Sequence, residues 1–144
     1  MIDSISKIDW VDDVLSISGA IDSYSELSKQ KIDIVVNLRE ETHDDIAELT
    51  KRGVLYAWIP VPDYFAPRKY QVEIFMNLIR NNPDKKILLH CALGMGRSAM
   101  LVVAYLIEMY NLDMDEAIAK LKEARSIINM SPPQLDKLKK IYCL

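Results

Sequence analysis

The chain has 144 residues, half of them hydrophobic and 27% charged, with a net charge of −3. This is the profile of one globular domain with a proper core, which excludes a disordered chain and leaves too little length for two ordinary domains. Residues 1–50 carry 4 basic and 12 acidic side chains (−8) and residues 51–144 carry 14 and 9 (+5), a surplus too small for nucleic-acid binding.

In chain order, Trp10–Gly19 is expected to supply one or two edge strands, and the polar segment Ser23–Gln30 a helix. Ile32–Leu38 is short, apolar and β-branched, as in a buried strand. Thr42-His43-Asp44-Asp45 reads as the solvated start of a helix reaching about Lys51, with Gly53 just past its end. Val54–Val61 is a second strand, and Pro60 and Pro62 turn the chain into an extended loop. A helix from about Arg68 to Asn81 places Val72, Phe75, Met76 and Ile79 on one face, and Lys85–His90 is the next strand. The segment after Arg97 is apolar almost all round, as in a helix buried mid-domain. Asp113 and Glu116 form a capping box, and Ser131 with Pro132 starts a last helix. Strands alternating with helices imply an α/β fold, with a central, mainly parallel sheet of four to five strands flanked by helices across residues 1–144.

Two cysteines, Cys91 and Cys143, stand 52 positions apart with no CxxC pair, which argues against a disulfide scaffold or structural zinc. Cys143 is expected to be inert, with a disulfide to Cys91 left open. The opening M-I-D-S-I-S-K-I-D-W is too broken by charge for a signal peptide. The longest apolar run, Ala99–Ile107, falls short of the ~20 residues that cross a bilayer. The C-terminal I-Y-C-L is not a prenylation box, which needs its cysteine fourth from the end. A reducing, cytoplasmic setting without a membrane anchor is expected.

The stretch His90-Cys91-Ala92-Leu93-Gly94-Met95-Gly96-Arg97-Ser98 joins a strand to a helix. Such a junction collects unpaired N–H groups and the positive end of the helix dipole, an anion cradle formed by Ala92, Leu93, Gly94, Met95 and Gly96. The guanidinium of Arg97 can grip two phosphate oxygens, and Gly94 and Gly96 free the backbone. A cysteine so placed is expected as thiolate at neutral pH and can attack phosphorus covalently. Asp63, in V-P-D-Y-F-A-P, is the candidate acid for the leaving oxygen, and Ser98 a hydrogen-bond donor to the sulfur. His90 is expected to orient the loop through buried hydrogen bonds. Gln134 stands three residues after Ser131, where a capping-box partner belongs. Arg125 is expected to complement the dipole of its helix, with a substrate contact as the alternative.

H-C-A-L-G-M-G-R-S resembles the HC-x5-R-[S/T] signature of the cysteine-dependent protein tyrosine phosphatases. The whole chain resembles their small atypical dual-specificity branch and its archaeal relatives, most weakly before Ile32. V-P-D-Y-F-A-P is similar to that branch's acid loop, and R-S-I-I-N-M-S-P-P-Q-L to the end of the phosphatases of regenerating liver. The resemblance implies a phosphotyrosine-phosphatase-like fold, with Cys91 as nucleophile, Arg97 as phosphate ligand, Asp63 as acid then base, and Ser98 assisting breakdown of phosphocysteine. It also offers Gln134 a place beside the hydrolytic water, as the alternative to the favoured capping role. It implies no metal or cofactor, phosphorylated proteins as substrates, and inhibition by phosphate and vanadate. The loop departs from the signature in having Ala99 where a glycine is usual, and it lacks the lysines of phosphoinositide-selective members. RNA 5′-phosphates or phosphoinositides as substrates, and a phosphate-binding interaction module, stand as alternatives.

Overall fold

The computed structural model describes residues 4–142, so Cys143 lies outside the described residues. The strands are β1 (Asp9–Trp10), β2 (Leu15–Ser18), β3 (Ile34–Arg39), β4 (Leu55–Val61) and β5 (Ile87–His90). They form one sheet in the order β1-β2-β5-β3-β4, parallel throughout except for the antiparallel β1–β2 pair. The helices are α1 (Tyr24–Lys29), α2 (Ile46–Lys51), α3 (Lys69–Asn81), α4 (Arg97–Tyr110), α5 (Met114–Ala124) and α6 (Pro132–Ile141).

Alternation along the strands divides the core between the two faces of the sheet. Leu15, Ile17, Ile34, Val36, Leu38, Ile87 and Leu89 pack into the larger cluster, with Val72 and Phe75 of α3, Ala117 of α5 and Leu138 of α6. Helix α4 runs through its middle, and every residue from Arg97 to Leu106 is buried. Val35 and Leu88 point the other way, to Leu27 of α1 and Leu49 of α2.

Two expectations change. The Trp10–Gly19 segment yields one edge strand, β1, while β2 lies inside the sheet beside β5. Its serines are buried with their hydroxyls satisfied: Ser16 Oγ donates to the Ile87 carbonyl (2.9 Å) and Ser18 Oγ to that of Gly19 (2.8 Å). The helix expected from Thr42 begins only at Ile46, because Asp45 accepts from the Glu48 N–H (3.0 Å) as its N-cap. Thr42–Asp44 stay in the β3–α2 loop, and Asp44 is buried rather than solvated. The Asp113–Glu116 and Ser131–Gln134 capping boxes form as expected.

Candidate active site

Cys91 follows the last residue of β5, and Arg97 is the first residue of α4. The loop between them lies beyond the carboxyl ends of parallel strands, where open α/β sheets bind ligands. Cys91 is 2% exposed, and its Sγ lies 3.1 Å from Ser98 Oγ and 3.3 Å from the Gly94 N–H that donates to it.

The loop's shape is set from outside. The Ala92 carbonyl accepts from the Ala20 N–H (2.9 Å) and the Met95 carbonyl from the Asn129 N–H (2.7 Å). The Leu93 carbonyl accepts from Arg125 Nη2 (3.0 Å) and the Gly94 carbonyl from Arg125 Nε (2.8 Å). In a trans peptide the C=O of one residue and the N–H of the next point in opposite directions. Four outward carbonyls therefore turn the N–H groups of Leu93, Gly94, Met95 and Gly96 toward the sulfur side, as the Gly94 contact to Sγ bears out. The N-cap of α4 is Gly96, which has no side chain to occupy the helix's first N–H groups. The result is a concave set of donors with a thiol at its floor, suited to a tetrahedral oxyanion.

Arg125 neither contacts an open substrate surface nor merely complements a helix dipole. Its side chain is fully buried, and besides the two loop carbonyls it donates to the carbonyls of Ile5 (2.7 Å) and Lys7 (3.0 Å) and to Asp9 (2.9 Å). Its burial is tolerable because each donor finds an acceptor and Asp9 balances the charge. Gly94 has φ +67°, and a Cβ there would stand 2.5 Å from the Ser18 backbone and 2.7 Å from Arg125 Nη2. Gly96 differs: its φ is −120°, and a Cβ would meet the Gln134 amide at 3.4 Å.

Arg97 is held by a residue the sequence did not single out. Glu41, in the β3–α2 loop, takes Nη1 and Nη2 in a bidentate pair (2.8 and 3.0 Å), and Nη1 also donates to the Val61 carbonyl (3.0 Å). That arrangement uses the Nη1–Nη2 edge and leaves the Nε–Nη2 edge for an oxyanion. Hydrogen bonding to Arg97 pulls the Glu41 carboxyl from 4.5 down to about 2. For Arg97, burial opposes the charge most strongly, but Glu41, Cys91 and Asp63 outweigh it and raise its pKa. Asp63 lies in the exposed loop after β4, with Oδ1 3.5 Å from Arg97 Nη2 and accepting from the Tyr64 N–H (3.0 Å). Tyr64 adopts φ +68°, a left-handed conformation that bulky side chains disfavour.

His90 is fully buried. Its partner is Asp44, whose Oδ2 lies 2.6 Å from Nε2, while Oδ1 accepts from Arg39 (2.8 Å). The β3–α2 loop thus carries one carboxylate to each end of the cysteine loop. Gln134 caps α6, its Oε1 accepting from the Ser131 N–H (2.9 Å), and its Nε2 donates to the Phe65 carbonyl (3.2 Å). It ties the Asp63 loop to α6 above Gly96. Glu41 and Asp44 were invisible to motif reading because neither stands at a fixed spacing from Cys91. Their one sequence signal is an acidic cluster, Glu40 to Asp45, at the end of a parallel strand. Among the described residues no group of three or more His, Cys, Asp or Glu side chains could hold a metal ion.

Residues 17–142 match the family model of the dual specificity phosphatase catalytic domain. The chain belongs to this family. Human dual specificity protein phosphatase 26 is 48% identical over 54 residues, which make up 38% of this chain and 26% of the relative. Mouse phosphatidylglycerophosphatase and protein-tyrosine phosphatase 1 is 41% identical over 56 residues, 39% of this chain and 29% of the relative. The matched segment spans between a quarter and a third of the length of these relatives. Among solved structures, the active form of Tk-PTP superposes with a TM-score of 0.83 at 29% identity, covering 93% of this chain and 95% of that one. PTPMT1 in complex with PI(5)P shares the fold, with a TM-score of 0.84 at 23% identity over 94% of each chain.

Gly94→Ala is expected to cut turnover of an aryl phosphate at least ~100-fold, since even a ~1 Å displacement of a reacting group costs that much. Steady-state kinetics alongside a thermal melt separates this from unfolding. Glu41→Gln is expected to lower stability at pH 7 by only about 1 kcal/mol, because the Glu41 carboxylate is about half exposed and its pair with Arg97 is screened by solvent. A folded pKa below the unfolded one stabilises above the unfolded value, so the difference should be full above about pH 4.5 and fade as pH falls toward about 2. Urea titrations of both proteins between pH 7 and 3 measure it.

Proposed function

We propose that this chain hydrolyses phosphate monoesters on proteins, phosphotyrosine first and phosphoserine or phosphothreonine as well, without a metal and through a phosphocysteine intermediate. Residues 1–144 act as one catalytic domain, in the reducing cytoplasm. The observation that carries the reading is the cysteine loop itself: a buried thiol beneath four N–H groups turned inward, with one edge of Arg97 left open beside it.

In the first step the Cys91 thiolate attacks phosphorus as the bond to the leaving oxygen breaks. The N–H groups of the Ala92–Gly96 loop and the Nε–Nη2 edge of Arg97 hold the three equatorial oxygens. Asp63, 3.5 Å from Arg97 Nη2, delivers its proton to the departing alkoxide or phenoxide. In the second step water attacks the phosphorus, Asp63 takes its proton, and the P–S bond breaks. Ser98 Oγ, 3.1 Å from Sγ, hydrogen-bonds the returning thiolate and makes it a better leaving group. His90 and Gln134 are positioning residues in this scheme, the first through Asp44 and the second through the Phe65 carbonyl. Free phosphate and vanadate inhibit by occupying the cradle.

A lipid phosphate is the second reading, favoured by one relative's name, phosphatidylglycerophosphatase and protein-tyrosine phosphatase 1, and by the PI(5)P bound in a structure of the same fold. Against it, the loop C-A-L-G-M-G-R carries no lysine for additional headgroup charge.

The deciding experiment is hydrolysis of p-nitrophenyl phosphate in EDTA by wild type, Cys91→Ser and Asp63→Asn, followed by phosphopeptides and phosphoinositides. Wild-type turnover should survive the chelator and vanish in Cys91→Ser. Asp63→Asn should lose ~10²–10⁴ on phosphotyrosyl peptides and much less on the activated ester. Equal losses on both would remove Asp63 from the acid role, and faster turnover of phosphoinositides than of peptides would replace the protein reading with the lipid one.

A further inference from the structure

Beside the cysteine loop lies a trough of about 920 Å³, between the segment after Asp63 and helix α6. Its nearer wall is Gln134, whose amide stands over Gly96, so the trough begins where the phosphate cradle ends. Phe65, Ala66, Pro67 and Ile141 give it an apolar lining, and Tyr64 and Tyr70 stand exposed along its rim. Four cations line it as well: Arg68 and Lys69 on one side, Lys137 and Lys140 on the other. None of the four is in any ion pair found among the described residues, and Arg68 is the one described arginine without a carboxylate, since Arg39, Arg52, Arg80, Arg97 and Arg125 each hold one.

We propose that this trough binds acidic residues flanking the phosphotyrosine of a protein substrate. The inference rests on the protein-phosphatase reading and specifies the substrate class for the same site. Charge complementarity selects an anionic occupant, since four like charges around one concavity repel each other until an anion enters. Concavity selects a chain over a bilayer, because an extended peptide can lie in a trough that a flat headgroup surface only bridges. The exposed aromatic and proline surfaces suit the backbone and stems of such a chain.

The helix sets the register. At ~1.5 Å per residue, Lys137 and Lys140 lie about 4.5 and 9 Å along α6 from Gln134. An extended peptide advances ~3.3 Å per residue. With the phosphotyrosine beside Gln134, acidic side chains one to three positions from it, on one side, therefore come level with the two lysines.

The test compares phosphotyrosyl peptides bearing glutamates at those positions, on either side, with their glutamine counterparts. Wild type and Lys137→Glu/Lys140→Glu are assayed, with p-nitrophenyl phosphate as the control for an intact catalytic centre and a phosphatidylserine vesicle as a competing surface. Wild type should favour the glutamate peptide on one side about five- to tenfold in kcat/KM, and the preference should shrink with added salt. The double variant should lose or invert it with unchanged turnover of the small ester. Equal rates on both peptides, or a preference that persists in the double variant, would overturn the proposal. So would flat peptide rates with vesicle binding that the double variant loses, which would assign the cations to a membrane. Turnover of the small ester with no peptide hydrolysed at all would overturn the protein-substrate reading and this inference together.

Discussion

Four backbone carbonyls, those of Ala92, Leu93, Gly94 and Met95, are each held by a donor outside their own loop. A short loop left to itself would satisfy its carbonyls with water and leave its N–H groups pointing in many directions. Here the outward tethers dictate the inward donors, so the concave set of N–H groups is formed without a ligand to shape it. Pre-organisation of this kind matters because donors already aimed at a developing charge need no reorganisation during reaction. Half of the tethers come from one side chain, Arg125, which also grips the backbone at Ile5 and Lys7 and the carboxylate of Asp9. The N-terminal segment, the end of α5 and the cysteine loop thus form one hydrogen-bonded unit.

A second level of support comes from carboxylates. The β3–α2 loop sends Asp44 to His90 at the start of the cysteine loop and Glu41 to Arg97 at its end. A bidentate carboxylate on one edge of a guanidinium fixes the plane of the whole group, and so the direction of the opposite edge. The same pair keeps Glu41 ionised far below the usual carboxylate range. The loop bearing Asp63 is built differently. It is exposed, joined to α6 through Gln134, and passes through Tyr64 in a left-handed conformation.

What could be read from the sequence follows from how local each feature is. Cys91, Arg97 and Ser98 sit in nine consecutive residues whose spacing is itself the chemistry, and Asp63 follows a strand end between prolines. Helices α3, α5 and α6 announced themselves by apolar period and caps. The place of strand β2 inside the sheet is not legible because two of its four residues are serines, and the carbonyl that satisfies the Ser16 hydroxyl, that of Ile87, is brought near only by the fold. The buried role of Asp44 was missed for a related reason: in T-H-D-D the capping residue is Asp45, and only the approach of His90, 46 positions away, separates the two aspartates. Arg125 looked like an ordinary cation at a helix end because all five of its acceptors lie in distant segments.

The measurement that tests this account most directly is calorimetric binding of tungstate to Cys91→Ser, with Arg125 intact and with Arg125→Lys. Lysine keeps the positive charge beside Asp9, but a single ammonium cannot span the carbonyls of Leu93 and Gly94 together with those of Ile5 and Lys7. If the outward tethers shape the cradle, the second protein should melt cooperatively yet bind tungstate at least ~10-fold more weakly, which corresponds to ~1.4 kcal/mol. Equal affinity in the two proteins would contradict the account, and would mean that the loop holds its donors without the arginine.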